Sequence, residues 1–150
     1  MKNINRKIAT AILLAGAVSS VPAFAALDSD TATVSMSIGL YASLTGLADF
    51  TLTTTDADGS AGAVYSGSDD FNVESNGQVR VSLSGSNLTS GNDSVATTFA
   101  MDGAGTTFDT TVSSVHNASH SVSATATLGE ISSQQAGAYS SVITLTVSAL

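Results

Sequence analysis

Beyond residue 25 the sequence contains no cysteine, tryptophan, proline or lysine, and its one arginine is Arg80. Without cysteine there is no disulfide framework, no thiolate nucleophile, no thiolate metal site and no lipoprotein anchor. Without lysine there is neither a Schiff base nor an isopeptide crosslink. Arg80 stands alone against twelve carboxylates. A single cation cannot neutralise a phosphate backbone or hold an anionic lipid surface, so nucleic-acid and membrane-surface binding are excluded. Catalytic signatures are also missing. There is no G-x-S-x-G turn, and the only glutamates are Glu74 and Glu130, so neither a nucleophile elbow nor a placed carboxylate pair can be read. The expectation is a protein that is not an enzyme.

The first 25 residues have the composition that the remainder lacks. Lys2, Arg6 and Lys7 precede an apolar run from Ile8 to Val18, and Ala23-Phe24-Ala25 ends the segment as an A-x-A cleavage site. The run is too short to span a bilayer, so residues 1–25 are expected to be a removed signal peptide. Residues 26–150 should then form one secreted domain, exported to the bacterial periplasm, cell surface or medium, with no membrane insertion.

About a third of residues 26–150 are Ser or Thr, and they alternate with Val, Ile, Leu, Phe and Ala rather than forming tracts. Alternation is the period of a strand with one buried face. It is cleanest from Val34 to Leu44, where Val34, Met36, Ile38, Leu40, Ala42 and Leu44 take every second position. It recurs in Phe50 and Leu52; in Phe71 and Val73; in Val79, Val81 and Leu83; from Val95 to Met101; from Val122 to Leu128; and from Tyr139 to Val147, where Ile143, Leu145 and Val147 lie on one face. Turn clusters rich in Gly, Asn and Asp separate these stretches. No apolar period of 3.6 residues is sustained. The pattern predicts an all-β, immunoglobulin-like sandwich of about seven to nine antiparallel strands. Around Asn76-Gly77 it predicts a hairpin with a three-residue loop, Gly77 in the left-handed conformation and Val73 paired with Val79.

Two groups of side chains are candidates for metal binding. Asp56-Ala57-Asp58-Gly59, with Asp69 and Asp70 farther on, has the oxygen-rich look of a calcium loop, although Gly67 stands where an EF-hand needs its last glutamate. An acidic β-turn explains the same residues more simply. His116 and His120, four apart, share a face in a helix or a strand, but two ligands do not make a site.

Sheet proteins guard their edges with Lys and Pro, and this chain has neither to use after residue 25. Its edges are therefore candidates for pairing. The stretch 32–44 can be given to a neighbouring subunit as a donor strand, or it can close its own sandwich; periodicity alone leaves both open.

The ending from Gln135 to Leu150 carries a small-residue turn, Ala136-Gly137-Ala138-Tyr139, followed by a strand from Val142 to Val147. This ending, with the leader ahead of it, resembles the secreted pilus subunits of the chaperone-usher and spore-coat-U kind. The sequence departs from that pattern in lacking a cysteine pair. The resemblance implies a surface-fibre subunit, polymerised by strand exchange and handled by a periplasmic chaperone. Assembly would use Val34, Met36, Ile38, Leu40, Ala42 and Leu44 on one side and Ile143, Leu145 and Val147 on the other. The competing expectation is a monomeric adhesin or lectin-like module, stabilised by calcium at Asp56, Asp58, Asp69 and Asp70.

Overall fold

A computed structural model describes residues 30–112 and 114–150. The expected signal peptide lies outside them. Residues Ser37–Leu150 form one compact unit. Nine strands are described: β1 (Ala42–Thr45), β2 (Val64–Ser75), β3 (Val79–Gly85), β4 (Leu88–Ser90), β5 (Asp93–Val95), β6 (Thr97–Met101), β7 (Thr107–Asp109), β8 (His116–Thr127) and β9 (Ile143–Ala149). A single 3-10 turn, Ile131–Ser133, is the one helical element among the described residues.

Every pairing is antiparallel. One sheet has the order β1-β2-β8-β6, a second β7-β3-β9, and β4 and β5 form a separate ribbon. The chain is an all-β antiparallel sandwich. Its alternation works as the sequence implies: Phe71 and Val73 from β2, Val79, Val81 and Leu83 from β3, Met101 from β6 and Val122 from β8 make one buried cluster. Each such side chain contributes about 1.5–3 kcal/mol by leaving water. The intervening Ser, Thr, Asn and Asp residues point outward.

The register defines two ends. At the exit end lie the start of β1, the end of β2 and the start of β8, since Ser75 pairs with both Ala42 and His116. The start of β3 and the end of β9 lie there too, through Val79 and Ala149. At the far end Val64 pairs with Thr127, and Gly85 with Ile143.

Several expectations are corrected. Of the long alternation from Val34, only Ala42–Thr45 is strand, because its partner β2 ends at Ser75 and the ladder has nothing further to bond. Phe50 and Leu52 flank no regular strand. A lone bridge from Thr53 to Ser66 holds that segment, which passes so close to Gly67 that a Cβ there would sit 2.5 Å from the Thr51 carbonyl. The expected hairpin at Asn76-Gly77 is an arch: β2 pairs with β1 and β8, β3 with β7 and β9, and Gly77 keeps a negative φ. Val73 and Val79 both point inward from opposite sheets, and the buried Ser75 hydroxyl donates to the Gly77 carbonyl to close the arch. The stretch Val95–Met101 divides at Ala96 into β5 and β6. The last strand begins at Ile143 rather than Tyr139, with a single bridge from Ser140 to Thr89 ahead of it.

Candidate functional site

The candidate assembly surface begins where the chain enters β1. Ahead of Ala42, the Tyr41 amide donates to Asn76 Oδ1 at 2.7 Å and the Asn76 amide donates to the Tyr41 carbonyl at 3.1 Å. The Asn76 Nδ2 group donates to the Gly39 carbonyl at 2.8 Å. One asparagine thus imitates a further residue of the β2 ladder and holds 39–41 in line with β1. No strand includes residues 30–41, and the apolar side chains there stay in water: Val34 is 95% exposed, Met36 84%, Ile38 75% and Leu40 51%. Ala42 and Leu44 differ. They lie in β1 and pack on the subunit's own core, so the unpaired alternation ends at Tyr41.

The second part is β9. It pairs with β3 along its whole length and has no other neighbour in its sheet among the described residues. Ile143, Leu145 and Val147 face the core but are only half-buried. The apolar layer is therefore incompletely covered beside β9. Ile38 and Leu40 are not paired with it.

Of the four acidic candidates, Asp56, Asp58 and Asp69 hold local structure, and Asp70 is exposed on β2. Asp56 accepts from the Val64 amide at 2.9 Å, and Asp69 from the Ala48 amide at 2.6 Å. The Tyr65 hydroxyl donates to Asp58, and that carboxylate raises the Tyr65 phenol above its ordinary pKa. Among the described residues no group of three or more His, Asp or Glu side chains is placed to hold a metal.

The two histidines act separately. His116 Nε2 lies 3.0 Å from the Thr111 carbonyl. His120 Nδ1 lies 2.7 Å from Asp102 Oδ2, and its ring stacks on Phe108 with centroids 4.3 Å apart. The other Asp102 oxygen accepts from the Ser121 amide at 2.9 Å. Burial opposes ionisation of Asp102, but the hydrogen bonds from His120 and Ser121 outweigh it and lower its pKa. Asp102 has a φ of 50°, so a left-handed turn brings it to His120. This clamp ties β6, β7 and β8 together, and no sequence spacing announced it. Arg80 and Asp109 form a bidentate pair across β3 and β7, both bonds 2.7 Å, on an exposed face. The pair raises the pKa of Arg80 and lowers that of Asp109.

At the exit end an open cleft of about 370 Å³ is lined by Tyr41, Glu74, Asn76, Val115 and His116. A smaller one of about 220 Å³ shares His116 and includes Phe108 and Thr111. No protein-family model matches this chain, and a search of curated proteins finds no significant match.

Proposed function

We propose that this chain is an exported, non-enzymatic structural subunit that joins copies of itself into a surface fibre by strand donation. On this reading it is an immunoglobulin-like sandwich that lacks one edge strand. The observation that carries the reading is the pairing of an unsatisfied donor with an unsatisfied acceptor. Val34, Met36, Ile38 and Leu40 alternate in water, while β9, among the described residues, presents an open edge over half-buried Ile143, Leu145 and Val147. The seven residues from Val34 to Leu40 match the seven of β9. Laid beside β9 of a neighbour, they would bond its free amides and carbonyls and bury four apolar side chains, about 1.5–3 kcal/mol each.

Polarity follows from the topology. The segment leaves its subunit at the exit end, and β9 runs from the far end to the exit end. Donation antiparallel to β9 brings the exit end of one copy to the far end of the next and continues without limit. Donation parallel to β9 brings two exit ends together and closes a pair. A fibre therefore requires the antiparallel arrangement. The mechanism is strand pairing, with no turnover and no cofactor, and an unfilled β9 edge in a newly exported subunit would be the natural target of a periplasmic chaperone.

The test is Ile38→Asp, which places a carboxylate in the apolar layer beside β9. Light scattering on residues 26–150 should give multiples of the subunit mass for the native sequence and a folded monomer for the variant. Polymers unchanged by Ile38→Asp would reject strand donation.

A further inference from the structure

From residue 30 onward Asn76 is the only asparagine followed by glycine; Asn72, Asn87, Asn92 and Asn117 precede Val, Leu, Asp and Ala. An Asn-Gly pair is chemically labile, because a residue without a Cβ lets its backbone nitrogen reach the carbonyl carbon of the preceding side chain. The fold gives both members of the pair a reason to be there. Asn76 presents an acceptor to the Tyr41 amide at 2.7 Å and a donor to the Gly39 carbonyl at 2.8 Å, a combination that a carboxylate cannot supply. Gly77 lies against Leu40, and a Cβ there would stand 2.9 Å from Leu40 Cδ1.

The surroundings leave the pair open to reaction. Asn76 is exposed, so water reaches it, and it lies between β2 and β3 rather than inside either strand. The Gly77 amide donates to no other backbone group among the described residues, so its nitrogen has no such bond to give up. Asn72 and Asn117 differ: they lie within β2 and β8, paired through the ladder and joined by a side-chain bond of 3.0 Å.

We propose that Asn76 is a deamidation site and that its conversion opens the latch on Gly39. The Gly77 nitrogen gives up its proton and attacks Asn76 Cγ; a C–N bond forms, the Cγ–Nδ2 bond breaks, and ammonia leaves with the proton. The product is a cyclic succinimide. Water, the one co-reactant, opens the ring at either carbonyl and returns a proton to the Gly77 nitrogen, giving aspartate or isoaspartate. In the aspartate product a carboxylate oxygen replaces Nδ2, so the donor to the Gly39 carbonyl is lost and two acceptors face each other. The Tyr41 amide keeps its acceptor. In the isoaspartate product the main chain runs through Cβ and Cγ, which lengthens the arch by a methylene and displaces the side chain. Either product frees Gly39 and Leu40 while β1 stays bonded to β2 from Ala42 onward. Nothing in this step depends on strand donation.

The test is to age purified protein, residues 26–150, in mildly alkaline buffer, which deprotonates the Gly77 nitrogen more often, and to map peptides by mass spectrometry with an isoaspartate assay. Aspartate and isoaspartate should accumulate at position 76 several-fold faster than at Asn72, Asn87, Asn92 or Asn117. Conversion at Asn76 no faster than at those four would overturn the assignment. Gly77→Ala is combined with Leu40→Ala, which removes the methyl group that the new Cβ would meet, and the double variant should convert several-fold more slowly than Leu40→Ala alone. Undiminished conversion would mean that the Gly77 nitrogen is not the nucleophile and would overturn the mechanism. The latch itself is read by nitrogen relaxation at the Gly39 and Leu40 amides. Their order parameters should fall in the aged protein, and in Asn76→Asp as the aspartate product alone, toward the flexible range below about 0.6, while Ser43 and Leu44 keep theirs. Aged protein in which Gly39 and Leu40 remain as ordered as in fresh protein would overturn the opening of the latch.

Discussion

Residues 34–41 and 42–45 carry one uninterrupted alternation, yet they end in opposite conditions. Ala42 and Leu44 are bonded into β1 against β2 and pack on the core. Val34, Met36, Ile38 and Leu40 have the same spacing and remain exposed. Nothing in the local composition separates them. The difference is the length of the neighbouring strand: β2 stops at Ser75, and beyond it a single asparagine holds the chain. A half-apolar alternating stretch is a capacity for pairing, and an available edge turns that capacity into a strand.

The largest effect that tests this contrast is a charge on the buried side of it. Leu44→Asp should destabilise the folded monomer by about 3 kcal/mol, since it sets an unpartnered carboxylate against the core on which half-buried Leu44 packs. Ile38→Asp should leave the monomer within about 0.5 kcal/mol of the native chain, as surface changes do. Urea denaturation under monomeric conditions compares them, and equal losses would erase the distinction between the two segments.

A smaller effect sits at the boundary itself. Asn76→Ala removes the side-chain bonds to Tyr41 and Gly39, each worth about 0.5–1.5 kcal/mol. Hydrogen exchange should then accelerate at the Tyr41 amide while the amides of β2 and β8 keep their protection. Unchanged exchange at Tyr41 would mean that β1 alone orders the segment.

The smallest effect acts on the sandwich and leaves the segment untouched. The Asp102 carboxyl is held below the ordinary value of 3.8. A carboxyl with a lowered folded pKa binds fewer protons folded than unfolded, so its stabilising contribution is present above the unfolded value and lost as pH falls through the folded one. The native chain should thus lose thermal stability below about pH 4 partly through this group, and Asp102→Asn should show a shallower acid limb. Identical acid limbs in the two proteins would show that the clamp to His120 contributes no such dependence.

Much of the fold was legible because burial imposes a period of two. The inward residues of β3, of β9 and of the second halves of β2 and β8 are those the alternation marks. The hairpin at Asn76-Gly77 was misread for a physical reason: Val73 and Val79 point inward whether the chain doubles back within one sheet or crosses to the other. Break points such as Ala96 were hidden because β5 and β6 share one alternation. At the candidate sites, Asp56, Asp58 and Asp69 look alike as calcium ligands and as turn residues, since Asp serves both. The structure gives each a backbone or tyrosine donor. The His120–Asp102 clamp joins residues eighteen apart through a left-handed turn, and no local spacing encodes that.

The sequence by itself determined the class of fold, since a Ser/Thr and Val/Ile/Leu alternation with no helical period can bury an apolar face only as sheet. It also determined the scarcity of cations and thiols, and with it the chemistries that are out of reach. Only the tertiary structure decided which alternating stretches found partners among the described residues, which sheet each strand joined and which strands lie at the ends of the sheet orders. Those outcomes depend on strand lengths and crossings that bring distant residues together, and a period read along the chain contains no information about them.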